Sequence, residues 1–222
     1  MLLYYITDRR SFPDDEVQQR QALLRCVAEA AGAGVDYIQL REKDLTAREL
    51  ELLAKEIIAA VRANSSTTRV LINGRTDVAL ACGADGVHLP SSALRASEVR
   101  ALWMRVADYA PIIGVSAHSI EDVRVAEAEG ADFAVLAPIF EKHGTDVPGL
   151  GLSTLAVACH ASQSAPKTFF PVLALGGVNV ENAMSCLRAG ASGLAGIRLF
   201  QEGDVRETVG ALRQLRPSDS TR

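Results

Sequence analysis

The sequence predicts a single-domain α/β protein folded as a (β/α)8 TIM barrel. Three observations carry that expectation. Four segments repeat one pattern: Gly34-Val-Asp-Tyr-Ile-Gln-Leu40, Gly83-Ala-Asp-Gly-Val-His-Leu89, Gly130-Ala-Asp-Phe-Ala-Val-Leu136 and Gly190-Ala-Ser-Gly-Leu-Ala-Gly196. Four more apolar runs, Leu2–Ile6, Arg69–Ile72, Pro111–Val115 and Pro171–Leu175, alternate with them at spacings of roughly 20–35 residues. Helix signatures between the runs complete eight strand-then-helix units, and closing eight such units into a barrel leaves no sheet edge exposed. An open, doubly wound sheet is the alternative, but repeats this regular favour closure.

Taken in order, the first run and its successors do not alternate polar and apolar residues strictly, as parallel strands covered on both faces should not. Each repeated segment follows a stretch rich in Ala, Glu and Arg. Its glycine therefore reads as the left-handed residue that ends a helix before the next strand begins. After the second strand, Thr46-Ala-Arg-Glu49 places an N-cap residue three before an acid, the capping-box arrangement. The third run ends at Asn73-Gly74, a dipeptide that locally favours a two-residue hairpin turn. Thr76 to Cys82 followed by Gly83, however, reads as a short helix with its stop, which makes Asn73-Gly74 a loop between strand and helix. Ser119-Ile-Glu-Asp122 and Asp204-Val-Arg-Glu207 repeat the cap signature further on. The barrel is expected over residues 1–215, and the tail 216–222, rich in Pro, Ser, Asp and Arg, is expected to be disordered.

Composition narrows the function. With 222 residues and 48% hydrophobic content, the chain can bury one large core. The net charge is −4 and the Lys and Arg residues are scattered, so neither nucleic acid nor an anionic membrane is an expected partner. Cys26, Cys82, Cys159 and Cys186 form no C-x-x-C pair and sit in apolar runs, which suggests reduced, buried thiols rather than disulfides or zinc. The N-terminal apolar run is too short for a signal peptide or a membrane span, and a cytoplasmic location is expected.

In a barrel of this kind the loops after the strand C-termini carry function. Gly176-Gly177 at the seventh exit lets backbone amides approach an anion, and Gly196 stands at the eighth, so these three are the candidate phosphate-binding residues. Gln39, Arg41 and Lys43 alternate along the second exit and can face one way, toward an anionic substrate. With Asn73 and Ser116 they are the candidate substrate-binding residues. His118, just past the fifth strand, is the candidate catalytic residue, because an imidazole suits proton transfer near neutral pH. His88 reads as core-facing, and His143 falls in a polar loop, Glu141 to Gly151, that reads as a lid.

Tyr5-Ile-Thr-Asp8, Ile38-Gln-Leu-Arg-Glu-Lys43, Gly83-Ala-Asp-Gly-Val-His-Leu89, Gly114-Val-Ser-Ala-His-Ser119, Pro138-Ile-Phe140 and Leu173-Ala-Leu-Gly-Gly177 together resemble the thiamine phosphate synthase and thiazole tautomerase (TenI) superfamily. The resemblance runs in order from residue 4 to about 200 and implies a thiamine-biosynthetic enzyme acting on a thiazole phosphate, with a homodimer as a compatible assembly. Synthases of this superfamily join an aminopyrimidine pyrophosphate to the thiazole and need Mg²⁺ on the leaving group. Their two metal-binding Asp positions fall here on Gly74 and Ala93, so no metal ligand and no cofactor is expected unless the chain is a synthase. The loop after Glu141 also lacks the Thr-x-Thr-Lys run that grips pyrophosphate; Lys142 and Thr145 are partial stand-ins. Asn73-Gly-Arg-x-Asp77 and Leu89-Pro-Ser91 resemble the tautomerase branch, in which His118 would match the general acid/base and Gly176, Gly177 and Gly196 the phosphate grip. The transferase stays as the alternative because Gln39, Arg41, Lys43 and Asn73 would suit the pyrimidine pyrophosphate. A regulatory homologue on the same scaffold is the third reading.

Overall fold

The computed structural model describes residues 1–13, 15–91, 93–141, 148–163 and 169–215. Eight parallel strands close into a barrel in chain order: β1 (Leu2–Ile6), β2 (Tyr37–Leu40), β3 (Arg69–Asn73), β4 (Gly86–Leu89), β5 (Ile112–Ala117), β6 (Phe133–Leu136), β7 (Val172–Ala174) and β8 (Gly193–Gly196). Closure is made by β8 on β1, with Leu3 opposite Leu194 and Tyr5 opposite Gly196. The helices are α1 (Glu16–Ala33), α2 (Ala47–Asn64), α3 (Thr76–Cys82), α4 (Ala96–Val106), α5 (Ile120–Ala128), α6 (Gly151–Gln163), α7 (Ala183–Arg188), α8 (Arg198–Gln201) and α9 (Val205–Gln214). The expected barrel is therefore present, and α3 replaces the hairpin that Asn73-Gly74 alone would suggest. Residues 216–222, and with them the expectation for the tail, lie outside the described residues, as do Lys142, His143 and Thr145.

The repeated segment has a physical purpose that its pattern conceals. Its glycine is left-handed in all four copies, at φ 93°, 64°, 78° and 98° for Gly34, Gly83, Gly130 and Gly190. Its third residue then ties the start of a neighbouring strand. Asp36 accepts from Leu3 N at 2.7 Å, Asp85 from Val70 N at 2.8 Å, Asp132 from Ile113 N at 2.7 Å, and Ser192 from Val172 N at 3.3 Å. The even strands begin three residues after each glycine because glycine and acid are spent on stop and tie. Val70 is buried, so replacing Asp85 with Ala orphans its amide and is expected to cost about 1–3 kcal/mol in denaturant unfolding.

Helix starts follow the caps. Thr46 and Glu49 form a full capping box, with Thr46 Oγ1 accepting from Glu49 N at 3.3 Å and Thr46 N donating to Glu49 Oε2 at 2.8 Å. Thr46→Ala is accordingly expected to lower stability by about 1 kcal/mol, read as a shift in the unfolding midpoint. At α5 only half the box forms. Ser119 Oγ accepts from Asp122 N, but the shorter Asp122 side chain takes His118 N at 2.8 Å instead of reaching back to Ser119.

Two apolar layers result. Leu3, Tyr5, Ile38, Leu40, Val70 and Ile72 face outward into the helices. Tyr4, Ile6, Leu71, Phe133, Val135, Leu173 and Ala195 fill the barrel interior. The rings of Tyr4 and Tyr37 lie 5.3 and 5.2 Å from that of Phe133, closing the lower interior as a packed floor. Cys159 and Cys186 are buried free thiols whose pKa burial pushes up to about 11. No described helix is long and apolar enough to cross a membrane.

Candidate active site

Parallel strands put every C-terminal end on one side, so the exits of β1 to β8 converge on one mouth. Gln39 is buried, and its Nε2 donates to Asn73 Oδ1 at 3.2 Å, which joins the β2 and β3 exits. His88 and Ser116 continue the polar arc on β4 and β5, with His88 Nε2 2.9 Å from Ser116 Oγ. Across the barrel the arc gives way to Val135, Leu175, Ile197 and Ile6. One half of the mouth is thus polar and the other apolar, the division that a ring bearing ionic substituents requires.

The expected row of Gln39, Arg41 and Lys43 is not a single row. Gln39 points into the barrel, whereas Lys43 is exposed in the turn after β2 and shares with Arg41 a rim cavity of about 310 Å³ lined also by Asp8, Arg10, Glu42 and Asp44. A larger cavity of about 450 Å³ lies at the other end of the barrel, beside Leu2, Pro171 and Ser192, and no acidic, basic or histidine side chain lines it.

Beneath the rim lies a charged cluster that sequence reading overlooked. Arg9 Nη1 reaches Glu42 at 3.1 Å, and both terminal nitrogens of Arg9 hold Asp44, at 2.8 and 2.7 Å. Glu42 also accepts from Thr7 Oγ1 at 2.7 Å and from Arg9 N. Burial nevertheless pushes the Glu42 carboxyl above its ordinary range, while Arg9 holds that of Asp44 below it. Thr7 Oγ1 in turn accepts from Arg41 N at 3.0 Å, so the cluster fixes the backbone from which Arg41 projects.

His118 is exposed at the end of β5, and its Nδ1 lies 2.9 Å from Ala137 O. A carbonyl can only accept, so Nδ1 carries the hydrogen and the neutral ring keeps its lone pair on Nε2. At the seventh exit Gly176 has φ +95°, and a Cβ there would meet Pro138 Cα at 2.7 Å. The β6 exit therefore demands that glycine in its own right, and Phe140 N donates to Gly176 O. Among the described residues neither the Gly176 nor the Gly177 amide has an acceptor, which leaves both for a ligand. Gly176→Ala is expected to destabilise by about 1–3 kcal/mol, seen as a lowered melting temperature. Gly196 closes the turn into α8, where a Cβ would strike Leu199 at 2.7 Å.

The residues at the metal positions do not fit Mg²⁺, which takes oxygen ligands and as a rule one or two carboxylates. Gly74 and the exposed Ala93 offer no side-chain oxygen. Asp77 is gripped by Arg75 at 2.8 and 2.6 Å, and Asp85 serves Val70 at the opposite end of the barrel. Among the described residues no three His, Cys, Asp or Glu side chains converge as a metal site.

Fold and mouth together define a (β/α)8-barrel enzyme class with its site at the strand C-termini. The chain belongs to the thiamine monophosphate synthase (TMP-TENI) family, whose profile matches residues 3–200, and is thus an enzyme of thiamine biosynthesis. It is 40% identical over 201 residues to "Putative thiamine-phosphate synthase 2" of Aquifex aeolicus, covering 90% of this chain and 97% of that one. It is 37% identical over 191 residues to the thiamine-phosphate synthase of Methanoculleus marisnigri, covering 83% of each. A thiamine phosphate pyrophosphorylase structure from Pyrococcus furiosus superposes with a TM-score of 0.77 at 31% identity, covering 96% of this chain and 94% of the other. These relatives carry the synthase name, so they favour the transferase alternative over the tautomerase branch that the motifs suggest.

Proposed function

We propose that the mouth takes a thiazole phosphate and that the reaction is a thiazole tautomerisation, the isomerisation of a carboxythiazole phosphate by proton transfer. One observation carries this: where pyrophosphate displacement needs carboxylates for Mg²⁺, the chain has Gly74 and Ala93, and Asp77 is committed to Arg75. Isomerisation needs no metal. His118 Nε2 takes a proton from one ring position and a proton is returned at another, so atoms and charge balance without a co-substrate. The amides of Gly176 and Gly177, with Gly196 beside them, hold the phosphate, and Arg41 and Lys43 meet the carboxylate.

The second reading is the transferase, thiamine phosphate synthase, and the names of the relatives are the observation in its favour. Each substrate set, supplied with Mg²⁺ or with EDTA and followed by chromatography, separates the two. Conversion of the carboxythiazole phosphate that EDTA does not affect is the expected result. Coupling of the pyrimidine pyrophosphate to thiazole phosphate, abolished by EDTA, would establish the transferase instead.

A further inference from the structure

We infer that His88 is a positioning residue for Ser116: its Nε2–H holds the serine oxygen and so turns the serine hydroxyl hydrogen toward an acceptor atom of the ligand. The inference rests on the mouth being the substrate site and adds a role for a histidine that sequence reading left in the core.

Tyr4 sets the tautomer of His88. Its side chain is wholly buried, and its hydroxyl meets His88 Nδ1 at 3.1 Å, its one partner among the described residues. A buried hydroxyl hydrogen without an acceptor bears the full cost of desolvation. Tyr4 therefore donates, Nδ1 must be the bare nitrogen, and the ring hydrogen sits on Nε2. Ser116 Oγ, 2.9 Å from Nε2, then accepts, which leaves its own hydrogen to point elsewhere.

The opposite tautomer would reverse every donor. Ser116 would give its hydrogen down to His88 and face the ligand as an acceptor, repelling carboxylate or phosphate oxygens.

The barrel is shaped around this arrangement. A side chain at Gly114 would collide with the Phe133 ring and come within 2.9 Å of His88 Nδ1, so the glycine keeps the room the imidazole occupies. The imidazole centroid lies 5.7 Å from that of Tyr4 and 6.4 Å from that of Phe133, which fixes the ring plane. Burial first, and then the Arg41 charge, push its pKa down to about 3, so the ring holds a single hydrogen at neutral pH.

Nitrogen-15 NMR of histidine-labelled protein tests this without reference to turnover, with the His88 signal assigned by its loss in His88→Gln. The expected spectrum at neutral pH shows a protonated Nε2 and a bare Nδ1, with that preference lost in Tyr4→Phe. A protonated Nδ1 in the wild-type protein would overturn the inference and leave the proposed function standing. In turnover assays, Ser116→Ala and His88→Phe are each expected to lower kcat/KM about tenfold, the size of one neutral hydrogen bond. His88→Gln, which keeps a donor near Ser116, is expected to recover most of the loss. His88→Phe should cost almost nothing further in the Ser116→Ala background. Full additivity there would mean that His88 acts by some other route. The expected tautomer in a protein that isomerises nothing would sink the tautomerase reading and keep the relay.

Discussion

Replacing Arg9 with Ala is expected to destabilise the protein by about 3–5 kcal/mol, the cost of breaking a buried ion pair from one side. The Glu42 side chain is 1% exposed, and without the guanidinium its carboxylate keeps only Thr7 Oγ1 and a backbone amide as donors. Urea unfolding of the purified protein measures the loss. Glu42→Gln is expected to cost less, since an amide oxygen still accepts from Thr7 and Arg9 N. The double variant should lose less than the sum of the two, because the second change removes the charge that the first leaves stranded.

The sign of the pH dependence is a sharper check. Burial holds the folded Glu42 carboxyl above its unfolded pKa, so the folded state binds the extra proton and its contribution falls as pH rises through the interval between the two values. Removing Arg9 widens that interval upward. The Arg9→Ala deficit is therefore expected to be smaller at pH 5 than at pH 7. A deficit that grows toward acid would overturn the electrostatic account altogether, because the Arg9 interaction with Asp44, whose carboxyl it holds low, is likewise lost once that carboxyl is protonated. Because Thr7 links Glu42 to the backbone of Arg41, a raised KM at unchanged kcat should accompany the loss of stability.

The barrel itself was legible because its signals are local. A left-handed glycine, an acid two residues later and a short apolar run lie within one segment, and four copies of that segment fix the period. The glycine pair at β7 and the histidine at the end of β5 were legible for the same reason, since a strand exit is a place along the chain. What escaped was set by distance and by facing. Arg9, Glu42 and Asp44 meet only after β1 and β2 pair, more than thirty residues apart in sequence.

Facing hid the rest. Tyr4 and Tyr5 are adjacent in an all-apolar strand that is buried on both sides, so no alternation told which faces the barrel interior. Tyr4 does, and meets His88, while Tyr5 faces the helices. Without that, His88 reads as a core residue. Gly176 was legible as a glycine that something approaches closely, but the approaching group includes the β6 exit at Pro138 as well as any ligand, and only the packed loops reveal that.

His118→Asn is expected to lower the tautomerisation kcat by about 10²–10⁴, the usual contribution of a positioned general acid or base. The described histidine, ion-paired carboxylates and cations beside the mouth cannot substitute for it. His88 is held neutral at pH 7 by burial and by Arg41, and both its nitrogens are engaged. Glu42 and Asp44 are committed to Arg9, and Arg41 and Lys43 are cations that offer no basic lone pair. His118 combines an exposed ring with a fixed tautomer, its Nδ1 hydrogen resting on Ala137 O and Nε2 left free to take the proton. The change should cost little stability, because the ring is exposed and one neutral hydrogen bond is lost. Binding of the thiazole phosphate, proposed to rest on Gly176, Gly177 and Gly196, should persist with an unchanged Kd by calorimetry. An unaltered kcat in His118→Asn would remove the general acid/base from this position and would return the transferase to first place.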